Sequence, residues 1–468
     1  MKLKNVFFLT VIFAVLGGCK KNETLDTVNL GEGTSTLNAG HPIYDLLGYG
    51  YDVTGRFADS ESSRVQVLDI EKFVSREAPS LPVNNDVSTD FQYSFGDNAS
   101  SFSNDLSQKY SATVGLKLFK GEVNSTFKDS AKFSSKYILA SMSMLVKQKR
   151  WKLYSTTANL RNNYLSSHFV ADVATLTPAA LVQKYGTHIL TNITLGAKFS
   201  VSYQAETSNS DRTNSAKVGL KTSGLFKVFG IDANYDTDNS ETLANFNQTL
   251  FYSTFGGDGS KGLIGEIKLD NSTPQLSIAN WQSTCNAANA VLIGIDKEGL
   301  MSLNELISDP VKSANVKAYI TQYLLDNQVT VINDPSTGSV PLYAYTKNAD
   351  GSGHYLSRSP NLVGWNRKGI AFRAFATQKP GTLPVYEFYG NYKNGRTVYF
   401  YQFGTSQTSF WTNTGVKFYA YPSASEGVVP LYGYTNSFGE DHYFTTENMD
   451  LNGYWKNKWD AASVFPAQ

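Results

Sequence analysis

Three copies of one aromatic phrase constrain this chain more than any other feature in it. Pro341-Leu342-Tyr343-Ala344-Tyr345 returns as Pro384-Val385-Tyr386-Glu387-Phe388 and again as Pro430-Leu431-Tyr432-Gly433-Tyr434, at spacings of 43 and 46 residues. A Trp follows 24 to 27 residues later in each unit, at Trp365, Trp411 and Trp455. In the first two units it opens a matched phrase, Trp365 to Phe372 and Trp411 to Phe418. A unit of this size, built of short aromatic strands and turns, cannot bury its own apolar face, so three must close on one another. The repeat therefore predicts an all-β pseudo-threefold domain over 339–468, trefoil- or prism-like. A turn cluster, Asn333-Asp334-Pro335-Ser336-Thr337-Gly338, sets it off from the rest.

The first 19 residues read as a targeting segment. Lys2 and Lys4 supply positive charge, and the apolar run Val6 to Leu16 is too short to span a bilayer as a helix. It ends in Leu16-Gly17-Gly18-Cys19, which looks like a bacterial lipobox with Cys19 as the lipidated residue. Residues 20–40 are polar and suit a flexible tether. The expected location is then the bacterial outer membrane or cell surface, with release or carriage on vesicles as routes to another cell. Cys285 is left without an intrachain partner, and it reads as a small buried apolar residue outside the cytoplasm. A net charge of +1 gives no electrostatic case for nucleic acid.

Between 41 and 332 strands alternate with helical stretches, the candidates being 157–169, 177–185 and 302–325. Two blocks rich in Ser, Thr, Gly and Asn, 98–136 and 206–250, lie among them. Both carry period-two rows. In the first, Tyr110, Ala112, Val114, Leu116 and Leu118 alternate with polar residues; Val123, Phe127 and Phe133 follow, and Asp129 breaks the row. In the second, Ala216, Val218 and Leu220 alternate with Lys217 and Lys221; Phe229 and Ile231 follow, with Lys227 interrupting. Such rows suit strands with one face in lipid, and equally amphipathic hairpins on a soluble sheet.

Between the blocks stands Pro178 to Thr191, containing Tyr185-Gly186-Thr187-His188, followed by Leu195-Gly196-Ala197. This resembles the signature of the membrane-attack-complex/perforin family. Leu47 to Asp52, the pair Gly256-Gly257, Trp281 and a closing helix near 303–307 fall in the family's order. Ile189 stands where the family commonly has an aromatic, and Ala197 where it commonly has a second glycine. The resemblance implies an α+β fold: a bent, twisted antiparallel sheet flanked by helical clusters. It also implies that the two blocks are helical in the soluble form and unfurl into hairpins on insertion. Gly196, Gly256 and Gly257 would then mark the bend, and Tyr185 to His188 would hold the helix-to-strand junction.

No catalytic constellation is present. The five His are scattered without ligand spacing, and there is no phosphate loop, nucleophile elbow or carboxylate pair. Neither enzymatic activity, a cofactor nor a metal is expected. The leading expectation is a pore-former that meets target-membrane lipids as a homo-oligomeric ring, since four strands per chain cannot enclose a pore. The resemblance extends to secreted antibacterial proteins of gut Bacteroidales. Trp365, Trp411 and Trp455 are candidates for binding a surface glycan, lipopolysaccharide or protein receptor, or else wedges in the module's own core. A non-lytic adhesin is the alternative.

Overall fold

The computed structural model describes residues 40–467 apart from 42, 78–82, 85–86, 111–116, 128–131, 225–228, 230–244, 270–275, 297, 349–350, 393–394 and 452. Cys19, Val114, Leu116 and Ile231 lie outside the described residues. The chain begins with short strands β1 (Tyr49–Tyr51) and β2 (Ser63–Gln66), then helix α1 (Ile70–Glu77), β3 (Val83–Asn84) and β4 (Ser88–Gly96). Helices α2 (Ala99–Tyr110) and α3 (Lys120–Thr126) lead into the long strand β5 (Tyr137–Lys152). Three helices follow: α4 (Thr157–Asn163), α5 (Ser167–Thr175) and α6 (Pro178–Tyr185). Next come β6 (His188–Leu190), the second long strand β7 (Asn192–Thr207), α7 (Arg212–Thr222), β8 (Asn245–Phe255) and β9 (Ile264–Lys268). Strands β10 (Val291–Ile295) and β11 (Leu300–Ser302) and a helix over Pro310–Asp326 complete this part.

The main sheet is antiparallel. Its path runs β3-β5-β7-β8-β9, with β4 also on β5 and β10 also on β7. Along β7 all but one residue is buried, because both faces are covered. One face, carrying Ile138, Ala140, Met142, Phe199, Val201 and Tyr203, packs on Ala216 and Leu220 of α7, on Phe229 and on Trp281. Tyr137, Leu139 and Phe251, from the opposite face, pack on Ala99 and Phe102 of α2 and on Val123 and Phe127. A second sheet, β11-β6-β1-β2, sits in a separate core with α6 and the Pro310–Asp326 helix. Two expected long helices are each divided. Tyr164 ends α4, with Ser166 capping α5 by accepting from Phe169 N (3.2 Å); Asp309 and Pro310 likewise separate a short 3-10 turn at Leu303–Leu306 from the last helix. Both breaks are cap chemistry: a side-chain acceptor for orphan N–H groups, or Pro at the first turn.

The tail consists of three three-stranded antiparallel units. They are β12 (Ser339–Thr346), β13 (His354–Ser357) and β14 (Asn366–Phe375); β15 (Leu383–Asn391), β16 (Thr397–Phe403) and β17 (Thr412–Ala420); and β18 (Val429–Asn436), β19 (His442–Thr445) and β20 (Trp455–Val464). Equivalent residues of each unit meet in one core, among them Leu342, Val385 and Leu431 with Leu356, Tyr401 and Phe444. The first two units are joined into one six-stranded sheet, β13-β12-β14-β17-β15-β16, and the third forms its own sheet, β19-β18-β20. At one end the third strands bridge one another through Phe375–Tyr419, Arg373–Phe465 and Tyr421–Ser463. At the other end lie the first hairpins of all three units and the three Trp, because Thr346, Tyr389 and Asn436 pair with Asn366, Thr412 and Trp455.

The bridged end docks on the main sheet. Arg373 and Glu206, both under 6% exposed, form an ion pair there. The guanidinium also donates to Ser339 Oγ and O (3.2 Å each) and covers the Phe246 ring at 5.0 Å. Glu206 accepts from Asn247 Nδ2 at 2.7 Å. The turn at 333–338 is pinned too: Ser134 Oγ donates to Asp334 Oδ2 (3.0 Å), and Asp334 N donates to Ser135 Oγ (2.8 Å). A buried pair is costly to break because one charge is left unpaired, whereas apolar replacement of both is far milder. Arg373→Met is therefore expected to destabilise docking by about 3–5 kcal/mol. The double change Arg373→Met with Glu206→Leu should recover most of that loss in a denaturation-monitored double-mutant cycle.

Candidate functional site at the sheet bend

Tyr185-Gly186-Thr187-His188 lies where α6 runs into β6. Tyr185, at the end of α6, is fully buried, stacks edge-on to Phe169 at 5.0 Å and donates to Asp172 Oδ2 at 2.5 Å. Gly186 has φ of 74°, and a Cβ there would lie 2.6 Å from the Tyr51 carbonyl carbon. Only glycine meets both conditions. Thr187 N donates to Tyr51 O (3.0 Å), and Thr187 Oγ1 accepts from Val53 N (3.2 Å). His188, on β6 between Tyr51 and Ser302, places Nδ1 2.9 Å from Thr187 Oγ1. Burial is the chief cause that pushes its imidazole down to about 4, with Asp52 acting against it. It is a neutral structural side chain.

The bend lies just beyond, along β7. Gly196 opposes Lys147, Leu195 opposes Lys149, and Gln148 is the extra residue of a bulge in β5. Bulges bend a strand and increase its twist. A Cβ on Gly196 would stand 2.1 Å from Val146 O, so the two backbones approach where no side chain fits. Here β7 also changes neighbours: β10 pairs with residues 193–196 and β8 with residues 198–207. Gly256 and Gly257, at φ 68° and 70°, turn the chain out of β8 at this level. Trp281, fully buried, donates from Nε1 to Gly256 O at 2.9 Å. Ala197 is buried, and a Cβ on Gly256 would lie 3.3 Å from its methyl. Cys285 is half-buried beside Trp281, and burial pushes its thiol up to about 11.

The two Ser/Thr/Gly-rich blocks rest on opposite faces of this sheet. In the first, Leu118, Val123 and Phe127 are buried, and Phe127 meets Phe102 edge-on at 5.5 Å. The Phe119-to-Glu122 stretch opens α3. Beneath α3 the sheet is polar: Ser200, Ser202 and Ser253 line a cleft of about 50 Å³ with Arg56 and Glu122. Lys198, buried on β7, shares the Phe255 ring with Arg56, each at 4.7 Å. In the second block Leu220 is buried and Val218 half-buried on α7, while Phe229 packs edge-on to Phe199 at 4.8 Å. Helix α7 approaches closely through Gly219, whose Cβ would lie 2.4 Å from the Tyr203 ring. Arg212, opening α7, donates to Asp97 O and to Ser135, Lys136 and Tyr137 O, at 2.7–3.2 Å. One guanidinium thus ties the root of block two to both roots of block one, a link with no motif to announce it.

In the tail each Trp is wedged between second-strand rings of its own unit and the next. Trp365 meets Tyr355 (5.2 Å) and Tyr399 (6.0 Å), Trp411 meets Phe400 (5.6 Å) and His442 (5.5 Å), and Trp455 meets Tyr443 (5.9 Å) and His354 (5.8 Å). Trp365 and Trp411 are half-exposed, but Trp455 is 9% exposed and serves as core. No group of His, Cys, Asp or Glu suited to a metal occurs among the described residues. No described helix is long and apolar enough to cross a membrane, which leaves strands untested.

A bulged, glycine-bent antiparallel sheet with a helical block on each face defines a perforin-like fold. The chain belongs to the MAC/Perforin domain family, which matches residues 40–333. Residues 343–464 match a domain of unknown function (DUF5648). Among solved structures, GNIP1Aa from Chromobacterium piscinae is similar at 16% identity and a TM-score of 0.53, over 91% of this chain and 82% of that one. A Bacteroides thetaiotaomicron protein named for cell invasion and its MAC/Perforin domain is similar at 16% identity and a TM-score of 0.50, over 67% of this chain. The alignment spans 66% of that protein's length, just under two-thirds. At such identity the likeness is one of fold. No curated protein matches the chain.

Two outcomes follow from this geometry. Gly196→Ala must push against backbone rather than a mobile side chain, so a loss of about 1–3 kcal/mol is expected in urea unfolding. His188 is held near 4 against 6.5 unfolded, so the unfolded chain takes up the proton first as pH falls. The stability present above about 6.5 should then drain away toward about 4, and His188→Gln should flatten that slope. Asp45, whose carboxyl burial raises to about 6, acts with the opposite sign over the lower part of this window. Comparing the variant with wild type removes its contribution.

Proposed function

We propose that this protein is a secreted pore-former that assembles into a ring and inserts hairpins from both blocks into a target membrane. The observation that carries this reading is where the blocks attach. Each connects two strands already paired as neighbours: β4 ends at Gly96 opposite Leu139 of β5, and β7 ends at Thr207 opposite Asn245 of β8. Straightening either block would lengthen an existing antiparallel hairpin in register, without breaking a bond of the sheet. A membrane-crossing strand needs roughly 9–11 residues. The connections span 97–136 and 208–244, ample for two such strands each.

The blocks also suit a change of state chemically. Ser, Gly, Thr and Asn hold helices weakly, and α3 and α7 cover only 7 and 11 residues. Cys19 would anchor the chain to its own outer membrane until release, and the tail would choose the target. A competing bacterium is the target we favour, given the lipobox. A disulfide engineered between α7 and β7 should abolish dye release from liposomes or target-cell vesicles, and reduction should restore it. Leakage by the locked form would reject insertion of block two. Tight surface binding without leakage from any membrane would favour the adhesin.

A further inference from the structure

The three tail units serve as controls for one another, and one position pair breaks their symmetry. In the first strands, register places Ala344, Glu387 and Gly433 at equivalent positions, opposite Leu356, Tyr401 and Phe444. In the third strands each unit carries a bulge at the same place, between the partners of Leu342 and Tyr343, of Val385 and Tyr386, and of Leu431 and Tyr432. The bulged residues are Ala371, Lys417 and Ala461. Two units thus fill the pair with Ala and Ala or with Gly and Ala. The middle unit fills it with Glu and Lys, whose side chains are only 10% and 15% exposed.

The fold does not require these charges, since two copies of the same meander close without them. Burying an ion pair brings no assured stability over small or apolar residues. A bulge re-aims a side chain, and here it turns Lys417 toward the first aromatic wedge. Lys417 Nζ lies 2.6 Å from Glu387 Oε2, donates to Tyr355 Oη at 2.7 Å and sits 4.2 Å from the centre of that ring. Glu387 Oε1 accepts from Thr414 Oγ1 at 3.0 Å. An ammonium has three protons, so Lys417 keeps one donor beyond these contacts, while Glu387 is also hydrogen-bonded by Tyr355 and Tyr401 and serves to hold the ammonium in place. Next to them are the half-exposed rings of Tyr355, Trp365 and Tyr399.

We infer that the wedge of Tyr355, Trp365 and Tyr399, with Lys417 and Glu387, is a saccharide-binding site and that its two sister wedges are structural. Aromatic faces take the apolar C–H face of a pyranose, while the adjacent ammonium, held by Glu387, gives one donor to a neighbouring hydroxyl. The near-zero charge of the pair suits a neutral sugar ring better than a phosphate. This inference rests on the proposed receptor-binding role of the tail and narrows it to one unit boundary.

The test uses the full chain, titrated with glucose, galactose, mannose, N-acetylglucosamine and N-acetylgalactosamine, read by tryptophan fluorescence and by saturation-transfer NMR. Glu387→Ala with Lys417→Ala gives the middle unit a composition its neighbour already has, so it should fold with an unchanged or higher thermal midpoint. At least one sugar should bind the wild type, and the double variant and Trp365→Leu should each bind it at least tenfold more weakly. Trp411→Leu should bind as wild type does. Sugar binding unaffected by the double variant, or no binding of any of the five sugars, would overturn the site. Target-cell adhesion that requires residues 339–468 would in those cases leave the broader receptor reading standing. Adhesion independent of the tail would remove that reading as well.

Discussion

The approach of two backbones at Gly196 is the constraint on which the rest of the molecule is arranged. With no Cβ in the way, β7 presses against the Val146 carbonyl, and the bulge at Gln148 turns the pair. That turn divides β7 between two partners, β10 on one side and β8 on the other. The glycine turn at 256–257 and the buried Trp281 fill the notch where the partners change. On one side of the bend lies the junction of α6 and β6, locked by Tyr185, Thr187 and His188. On the other side run the straight arms that carry the blocks. The sheet is bent and bulged at its base and regular toward its far end.

The blocks show why a single stretch of sequence can support two periods. In the second, Ala216, Val218 and Leu220 alternate as a strand would require, yet in α7 the buried set is Ser215, Ala216, Gly219 and Leu220. Small residues make this possible, since Ser, Ala and Gly can face either an apolar sheet or water at modest cost. Tertiary contacts with Tyr203 and the neighbouring apolar face hold the segment as a helix. Block one rests partly on serines and a charged cleft, so its contact with the sheet is more polar than that of block two.

Much of this was legible in the sequence, for identifiable reasons. Repetition exposes the tail units directly, because matched phrases must fold alike. In the Tyr-Gly-Thr-His run Gly186 and Thr187 meet backbone demands, and Tyr185 and His188 fix side chains beside them. Less legible were features in which a local pattern is overruled by a partner distant in sequence. Helix-like periodicity ran through Tyr164 and through Asp309-Pro310, where caps end one helix and begin another. Trp455 matched its sister Trp in spacing, yet neighbouring rings close over it. Arg212, and the pair Arg373 and Glu206, carry no motif, and only the folded chain brings them to their partners. Glu387 and Lys417 could have been found earlier by reading the three units column by column, where they stand alone among alanines and a glycine.

The ion pair between Arg373 and Glu206 has a mechanical meaning. Glu206 is the penultimate residue of β7, immediately ahead of the connection that contains α7. The tail is thus bolted to the end of β7 and not to the connection that carries α7, while the turn before it holds Ser134 and Ser135 at the root of block one. The eight residues from Arg373 back to Trp365 put the Trp-bearing end roughly 25 Å from that bolt. A tail seated on a cell surface would behave as a strut. It would set the height at which the arms stand above the bilayer while leaving block two free to descend.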